Sequence, residues 1–180
     1  MAEPLTLQEA KDHLRVVDDD EDDYITSLIV AARQMVEGRT QRALVPIDKA
    51  VVLPAFTDAV PLPGVPFVDV VEVTYIDQAG APQTLAPSVY EVYPDAEPAR
   101  LHLAYGASWP STQPRQAAVR IAYSAGYASP DLVPAPLKQW MLLAIGALYE
   151  NREQVVAGVN VQALPDSFMS LLWQPYMVYL

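Results

Sequence analysis

The run Asp18-Asp19-Asp20-Glu21-Asp22-Asp23 is the densest set of potential ligand atoms in the chain. Carboxylates at alternate positions are how a calcium loop gathers hard oxygen donors. An EF-hand also needs Gly at its sixth place and Glu at its twelfth, and counted from Asp18 those places hold Asp23 and Ile29. The acids instead precede an apolar-periodic segment, where the positive N-terminal end of a helix stabilises negative charge. His13 and His102 are the only histidines, and neither has a partner at metal-ligand spacing. There is no Gly-x-Ser-x-Gly elbow, and none of the 7 glycines builds a phosphate loop or a dinucleotide fingerprint. The 22 carboxylates permit an acid-pair hydrolase, but spacing singles out no pair. The sequence therefore assigns no catalytic residue, no metal ligand and no cofactor.

Three other groups carry polar or aromatic chemistry. Tyr149-Glu150-Asn151-Arg152-Glu153 closes an apolar segment and can bring a guanidinium and carboxylates to a seam; as a plain helix end, it would set Arg152 against the negative pole of the helix. The last thirteen residues, from Phe168 to Leu180, include ten apolar or aromatic ones. Such a terminus needs a surface to lie on. Tyr90, Tyr93, Tyr105, Tyr123 and Tyr127 form an aromatic set that either binds a glycan or peptide or alternates into a sheet core with its hydroxyls at the rim.

The elements that position these groups follow from periodicity and proline. Thr6 with Glu9 has capping-box spacing, and Leu7, Ala10, Leu14 and Val17 continue a short amphipathic helix. A second helix spans about Asp22 to Ala43, with Ile25, Leu28, Ile29, Ala32, Met35 and Val36 in one stripe. No proline stands between Leu14 and Val45, whereas from Pro46 to Pro136 prolines recur every few residues, as turns between short strands require. Strands are expected around Val51–Leu53, Phe67–Ile76, Gln83–Leu85, Val89–Tyr93, Arg100–Leu103 and Val119–Tyr123, five or six in all, with a turn at Asp77-Gln78-Ala79-Gly80. A third helix follows Pro134 and Pro136, carries Leu137, Trp140, Met141, Ala144, Ile145 and Leu148, and ends near Gly158. A short one follows Pro165, capped by Asp166 or Ser167. The expected fold class is α+β: N- and C-terminal helices forming a helical core, with an inserted antiparallel β-sheet or small β-barrel. The expected divisions are 1–45 and 131–165 for the helical halves, 46–130 for the β insertion and 166–180 for a C-terminal docking tail.

Composition narrows the function. Lys+Arg 11 against Asp+Glu 22 gives a net charge of −11, the wrong sign for proteins that hold nucleic acid through a basic face. The chain has no cysteine, hence no disulfide framework and no thiolate nucleophile. Its longest apolar stretch, Trp140 to Tyr149, falls short of the roughly 20 residues that cross a bilayer, so a soluble, unprocessed protein without a membrane partner is expected.

In order along the chain, several segments resemble the head-tail connector, or adaptor, proteins of long-tailed bacteriophages and phage-like particles. Leu5-Thr6-Leu7-Gln8-Glu9-Ala10-Lys11-Asp12-His13-Leu14-Arg15 is similar to the family's opening helix, and Ala31-Ala32-Arg33 with Val36-Glu37 and Thr40 to its second. Tyr123-Ser124-Ala125-Gly126-Tyr127 resembles the end of its β insertion. Val133-Pro134-Ala135-Pro136-Leu137-Lys138, leading to Leu148-Tyr149-Glu150-Asn151-Arg152-Glu153, resembles its most recognisable segment, and Leu171-Leu172-Trp173-Gln174-Pro175-Tyr176 its ending. Met177 stands where the family would place a basic residue. The resemblance implies a structural protein of the virion neck and not a catalyst. It would form a homo-oligomeric ring of about twelve copies under the portal protein, with a stopper or tail-terminator protein on its far side and DNA passing through its channel without sequence-specific binding. Phe168, Leu172, Trp173, Tyr176 and Tyr179 become candidates for docking to a neighbour or the portal, and Glu150, Asn151, Arg152 and Glu153 for an intersubunit polar cluster with Arg152 paired to Glu150 or Glu153. The rival readings are a monomeric β-rich module that binds a glycan or peptide, and a stopper or tail-completion protein of the same particle.

Overall fold

Thr6 opens the first helix because its hydroxyl accepts the Glu9 N–H at 3.1 Å while the Glu9 carboxylate accepts the Thr6 N–H at 2.7 Å. In the computed structural model, which describes residues 2–152, 170 and 172–178, this helix, α1, runs Leu7–Leu14. Arg15 stops it in the left-handed region, at φ 59°. Ala10 is buried, and Leu7 and Leu14 pack against the core, as expected; Val17 lies beyond the stop and is 92% exposed.

Helix α2 spans Asp22–Thr40 and buries Ile25, Leu28, Ile29, Ala32 and Val36. Met35, expected in the same stripe, is partly exposed. The helix stops at Thr40 and not at Ala43, because Gln41 turns left-handed at φ 58° and the Glu37 carboxylate accepts the Leu44 N–H at 2.8 Å, drawing the chain out of helical register. Helix α3, Ala135–Glu150, buries Leu137, Trp140, Met141, Ala144 and Ile145. Its continuation toward Gly158 and the cap at Asp166 or Ser167 lie outside the described residues. Ser170, Leu172 and Trp173 are helical and Gln174–Tyr176 forms one 3-10 turn. The acidic run does more than flank a helix. Lys11, itself buried, places Nζ 2.7 Å from both Asp19 Oδ1 and Asp22 Oδ1. These hydrogen bonds, donated by the ammonium to Asp19 and to Asp22, raise the lysine's pKa above its ordinary value and keep the buried ammonium charged.

The described residues divide into two compact units: residues up to Val45 with Tyr127–Met177, and Pro46–Gly126 with Val178. The first is helical. In it α1, α2 and α3 enclose one core of Leu5, Ile25, Ile29, Val36, Leu137 and Met141 with their neighbours. The second is built from β1 (Ile47–Leu53), β2 (Ala59–Leu62), β3 (Phe67–Ile76), β4 (Pro82–Thr84), β5 (Tyr90–Tyr93), β6 (Ala99–Leu103) and β7 (Val119–Ala125). Among the described residues they form two antiparallel sheets, ordered β1-β7-β3-β4 and β2-β6-β5, with no closed barrel. Strand β2 is absent from the sequence reading because Pro61 makes the segment look like a turn. It is an edge strand, paired only with β6, and an edge tolerates the missing N–H. The turn after β3 forms as expected: Gly80 takes φ 86°, and its N–H bonds the Asp77 carbonyl at 3.0 Å.

Of the tyrosine set, Tyr123 is buried and donates its hydroxyl to the Pro63 carbonyl at 2.6 Å, and burial pushes its pKa up to about 12. Tyr90 packs on the β core and Tyr127 on the helical core, whereas Tyr93 and Tyr105 are exposed.

Leu137 has no exposed surface at the centre of the helical core. Leu137→Ala is expected to lower unfolding stability by about 2–5 kcal/mol, read as a shift in urea midpoint. Val52→Thr, on the outward face of β1, is expected to stay within about 0.5 kcal/mol of the parent.

Candidate functional site

The end of α3 meets the start of α2 at a charged and aromatic cluster. Arg152 pairs with Glu21, and its guanidinium lies 4.6 Å from the centre of the Tyr24 ring and 4.9 Å from that of Tyr149. The Tyr149 hydroxyl donates to the other oxygen of Glu21. The two rings sit 6.2 Å apart at 37°. A guanidinium that stacks on two ring faces while pairing with a carboxylate holds its place more firmly than a freely solvated ion pair.

The sequence anticipated the Arg152 and Tyr149 end of this cluster but missed Glu21 and Tyr24. Arg152 takes Glu21 of its own chain as partner, where pairing with Glu150 or Glu153 was expected. Glu150 is exposed, and Glu153 lies outside the described residues. Asn151 closes the helix, its amide nitrogen and its side-chain Nδ2 donating to the Ala147 carbonyl at 3.2 and 2.8 Å. One signal for Glu21 lay in view: it sits in a six-acid run at the positive end of α2, the obvious source of counter-charge for a cation at the far helix end.

The C-terminal aromatics form a second group. Leu172, Trp173 and Tyr176 pack, half-buried, on the helical core. Arg39 stands over two indoles, 5.9 Å from the Trp140 ring centre and 5.6 Å from that of Trp173. Arg42 donates Nε to the Tyr176 carbonyl at 2.7 Å and lies 5.9 Å from that ring. The sequence named the aromatics but not the two arginines that clasp them, Arg39 in the last turn of α2 and Arg42 just beyond it. Phe168 and Tyr179 lie outside the described residues.

His13 is exposed beside Gly146 of α3, and His102 stacks edge-on against Tyr93 at 5.0 Å. Among the described residues no three His, Asp or Glu side chains are grouped to hold a metal ion, and no helix is long and apolar enough to cross a membrane.

Residues 4–63 match the family model of the phage gp6-like head-tail connector protein. No curated protein matches the chain. Among solved structures, a chain in the neck of an empty gene transfer agent particle, computed with C6 symmetry, is 28% identical with a TM-score of 0.77, covering 100% of this chain and 94% of that one. A chain in the virion of the native gene transfer agent particle gives 28% identity and a TM-score of 0.76, over 98% of this chain and 91% of that one. One in the neck of the native particle, computed with C12 symmetry, gives 28% identity and a TM-score of 0.72, over 100% and 93%.

Hydrogen bonds from Tyr149 and then Arg152 hold the Glu21 carboxyl below its ordinary 4.5, and the bond to Glu21 raises the Tyr149 phenol above 10.0. A lowered carboxyl pKa contributes stability above 4.5 that is lost as pH falls through the folded value, and a raised phenol pKa contributes stability below 10.0 that is lost as pH rises through its folded value. The urea midpoint is therefore expected to be level in neutral solution and to fall in acid. Glu21→Gln should flatten part of that acid slope and leave the shares of Glu9 and Asp19, whose carboxyls are also lowered. Superimposable slopes for parent and variant would contradict the assignment. Over residues 4–63 the chain is similar to the connector family model, and along its length its fold is similar to that of chains in gene transfer agent necks.

Proposed function

We propose that the chain works as a ring of about twelve copies seated under the portal at a capsid vertex, with a stopper or tail-terminator protein on its far side and DNA passing through its bore. It needs no cofactor and catalyses no reaction. The observation that carries this reading is the likeness of the entire fold, at 28% identity, to chains in particle necks computed with C6 and C12 symmetry. Charge supports it. At −11 per copy, a ring repels a passing polyanion weakly along the channel, so DNA slides and does not stick.

Segments 1–45 and 131–165 form the ring-building core in this reading, 46–130 is an insertion within it, and 166–180 docks. Leu172, Trp173 and Tyr176, only half-buried on their own core, present their outer edges to the portal or a sister copy, with Phe168 and Tyr179 as further anchors. Aromatic anchors of this kind dominate interface energetics. The cluster of Glu150, Asn151, Arg152 and Glu153 contributes through Arg152, whose side chain keeps half of its surface exposed while paired to Glu21.

Mixing the protein with its portal should give ring particles by negative-stain electron microscopy and a joint peak in size-exclusion chromatography. Trp173→Ala with Tyr176→Ala should weaken that joining roughly tenfold or more while circular dichroism still reports a folded chain. A strict monomer in the presence of portal would sink the reading, and ligand-dependent melting of that monomer with a glycan or peptide would replace it.

A further inference from the structure

The sheet β1-β7-β3-β4 keeps one face inside the β unit and turns the other outward. On β7 the residues Val119, Ile121, Tyr123 and Ala125 are buried, so Arg120, Ala122 and Ser124 alternate to the outer face. Across the strands, Val52 of β1 and Thr74 of β3 flank Arg120, and Ala50 and Glu72 flank Ala122. A register shift between Val70 and Glu72 leaves Val71 67% exposed. Two adjoining hollows of about 290 Å³ each lie here, one lined by Ala50, Val71 and Ala122 with the charged Asp48 and Lys49, the other by Val52, Ile76 and Pro82, and Arg120 borders both.

Arg120 makes no ion pair among the described residues. Of the carboxylates on this face, Asp48 shares the first hollow with Arg120 without forming an ion pair with it, Asp69 lies level with Ser124, and Glu72 accepts a hydrogen bond from Thr84 at 3.0 Å. The Arg120 end therefore fits a segment in which an apolar side chain is followed directly by a carboxylate.

The connection between α1 and α2 presents such a pair. Val17 is 92% exposed, and Asp18 beside it is exposed too. Lys11 engages Asp19 and Asp22, which leaves Asp18 without an ion pair among the described residues. We propose that in the assembled ring Val17 and Asp18 of one copy dock on the outer sheet face of the next, Val17 in the hollow beside Val52 and Pro82 and the Asp18 carboxylate on Arg120. Closed cyclic assembly needs two different complementary faces on each copy, and these two differ in kind and complement in charge. The inference rests on the ring reading above.

The absence of cysteine allows a direct test. Copies carrying Val17→Cys and copies carrying Val52→Cys are mixed, assembled with portal, treated with a short bismaleimide and mapped by mass spectrometry. A crosslink joining the thiol introduced by the first substitution to the thiol introduced by the second, on a different copy, is expected in ring fractions. Arg120→Glu and Asp18→Arg should each cut ring yield roughly tenfold, and the double charge swap should restore most of it. Val17, Asp18 and Val52 are exposed, and Arg120 lies on the outer sheet face, so unchanged melting temperatures would show that the fold is intact. Rings that form without that link, rings unaffected by Arg120→Glu, or a link from the β1 thiol to portal would each overturn the docking while leaving the ring reading intact. A parent chain that makes no rings with portal would overturn both.

Discussion

The apolar seam between α2 and α3 is the contact on which the helical unit depends. Ile25, Ile29 and Val36 on one helix and Leu137, Met141 and Ile145 on the other lose nearly all contact with water. The two helices are separated in sequence by the whole β segment. Bringing them together costs loop-closure entropy that grows only slowly with the length of the intervening chain. That cost is met by burying about six large aliphatic side chains, each contributing on the order of 1.5–3 kcal/mol. The β unit has its own core, centred on Val60, Leu62, Leu101, Ile121 and Tyr123.

Arginine supplies the remaining ties in an otherwise acidic chain. Arg33 joins Glu3 at 2.7 Å and Glu37 at 2.8 Å, Arg39 lies over Trp140 and Trp173, Arg42 holds the Tyr176 carbonyl, and Arg152 pairs with Glu21 between two tyrosines. Each connects segments remote in sequence or fastens a chain end to a helix. A planar guanidinium can stack on a ring and donate in its plane at once, which an ammonium cannot. Lys11, the buried lysine among the described residues, has the simpler task of a point charge shared by two carboxylates. Net negative charge thus coexists with a well-tied helical unit, because acids such as Asp18, Asp20, Asp23, Asp58 and Asp131 are exposed to water.

Much of this was legible in advance, for physical reasons that differ from element to element. The capping box at Thr6 and Glu9, the stripe of α2 and the wide apolar face of α3 are local patterns with helical spacing, so the α+β class followed from them. Strand β2 was not legible: Pro61 signals a turn unless its strand is known to lie at a sheet edge, and edge position is a property of the assembled sheet. The helix stops at Arg15 and Gln41 were also hidden. Both are non-glycine residues in the left-handed region, held there by backbone and side-chain bonds that exist only once the helix has formed.

The same division holds for the functional groups. The sequence by itself determined the helix-β-helix pattern, the net charge of −11 and a segment order that resembles a head-tail connector. Only the tertiary structure decided who meets whom. It gave Arg152 to Glu21 and two tyrosines, gave Lys11 to Asp19 and Asp22, and set Arg120 between two hollows of the outer sheet face. The reason is that composition and periodicity are additive along a chain, whereas an ion pair or a stacked guanidinium needs two distant segments to arrive within a few ångströms, and that distance is set by packing.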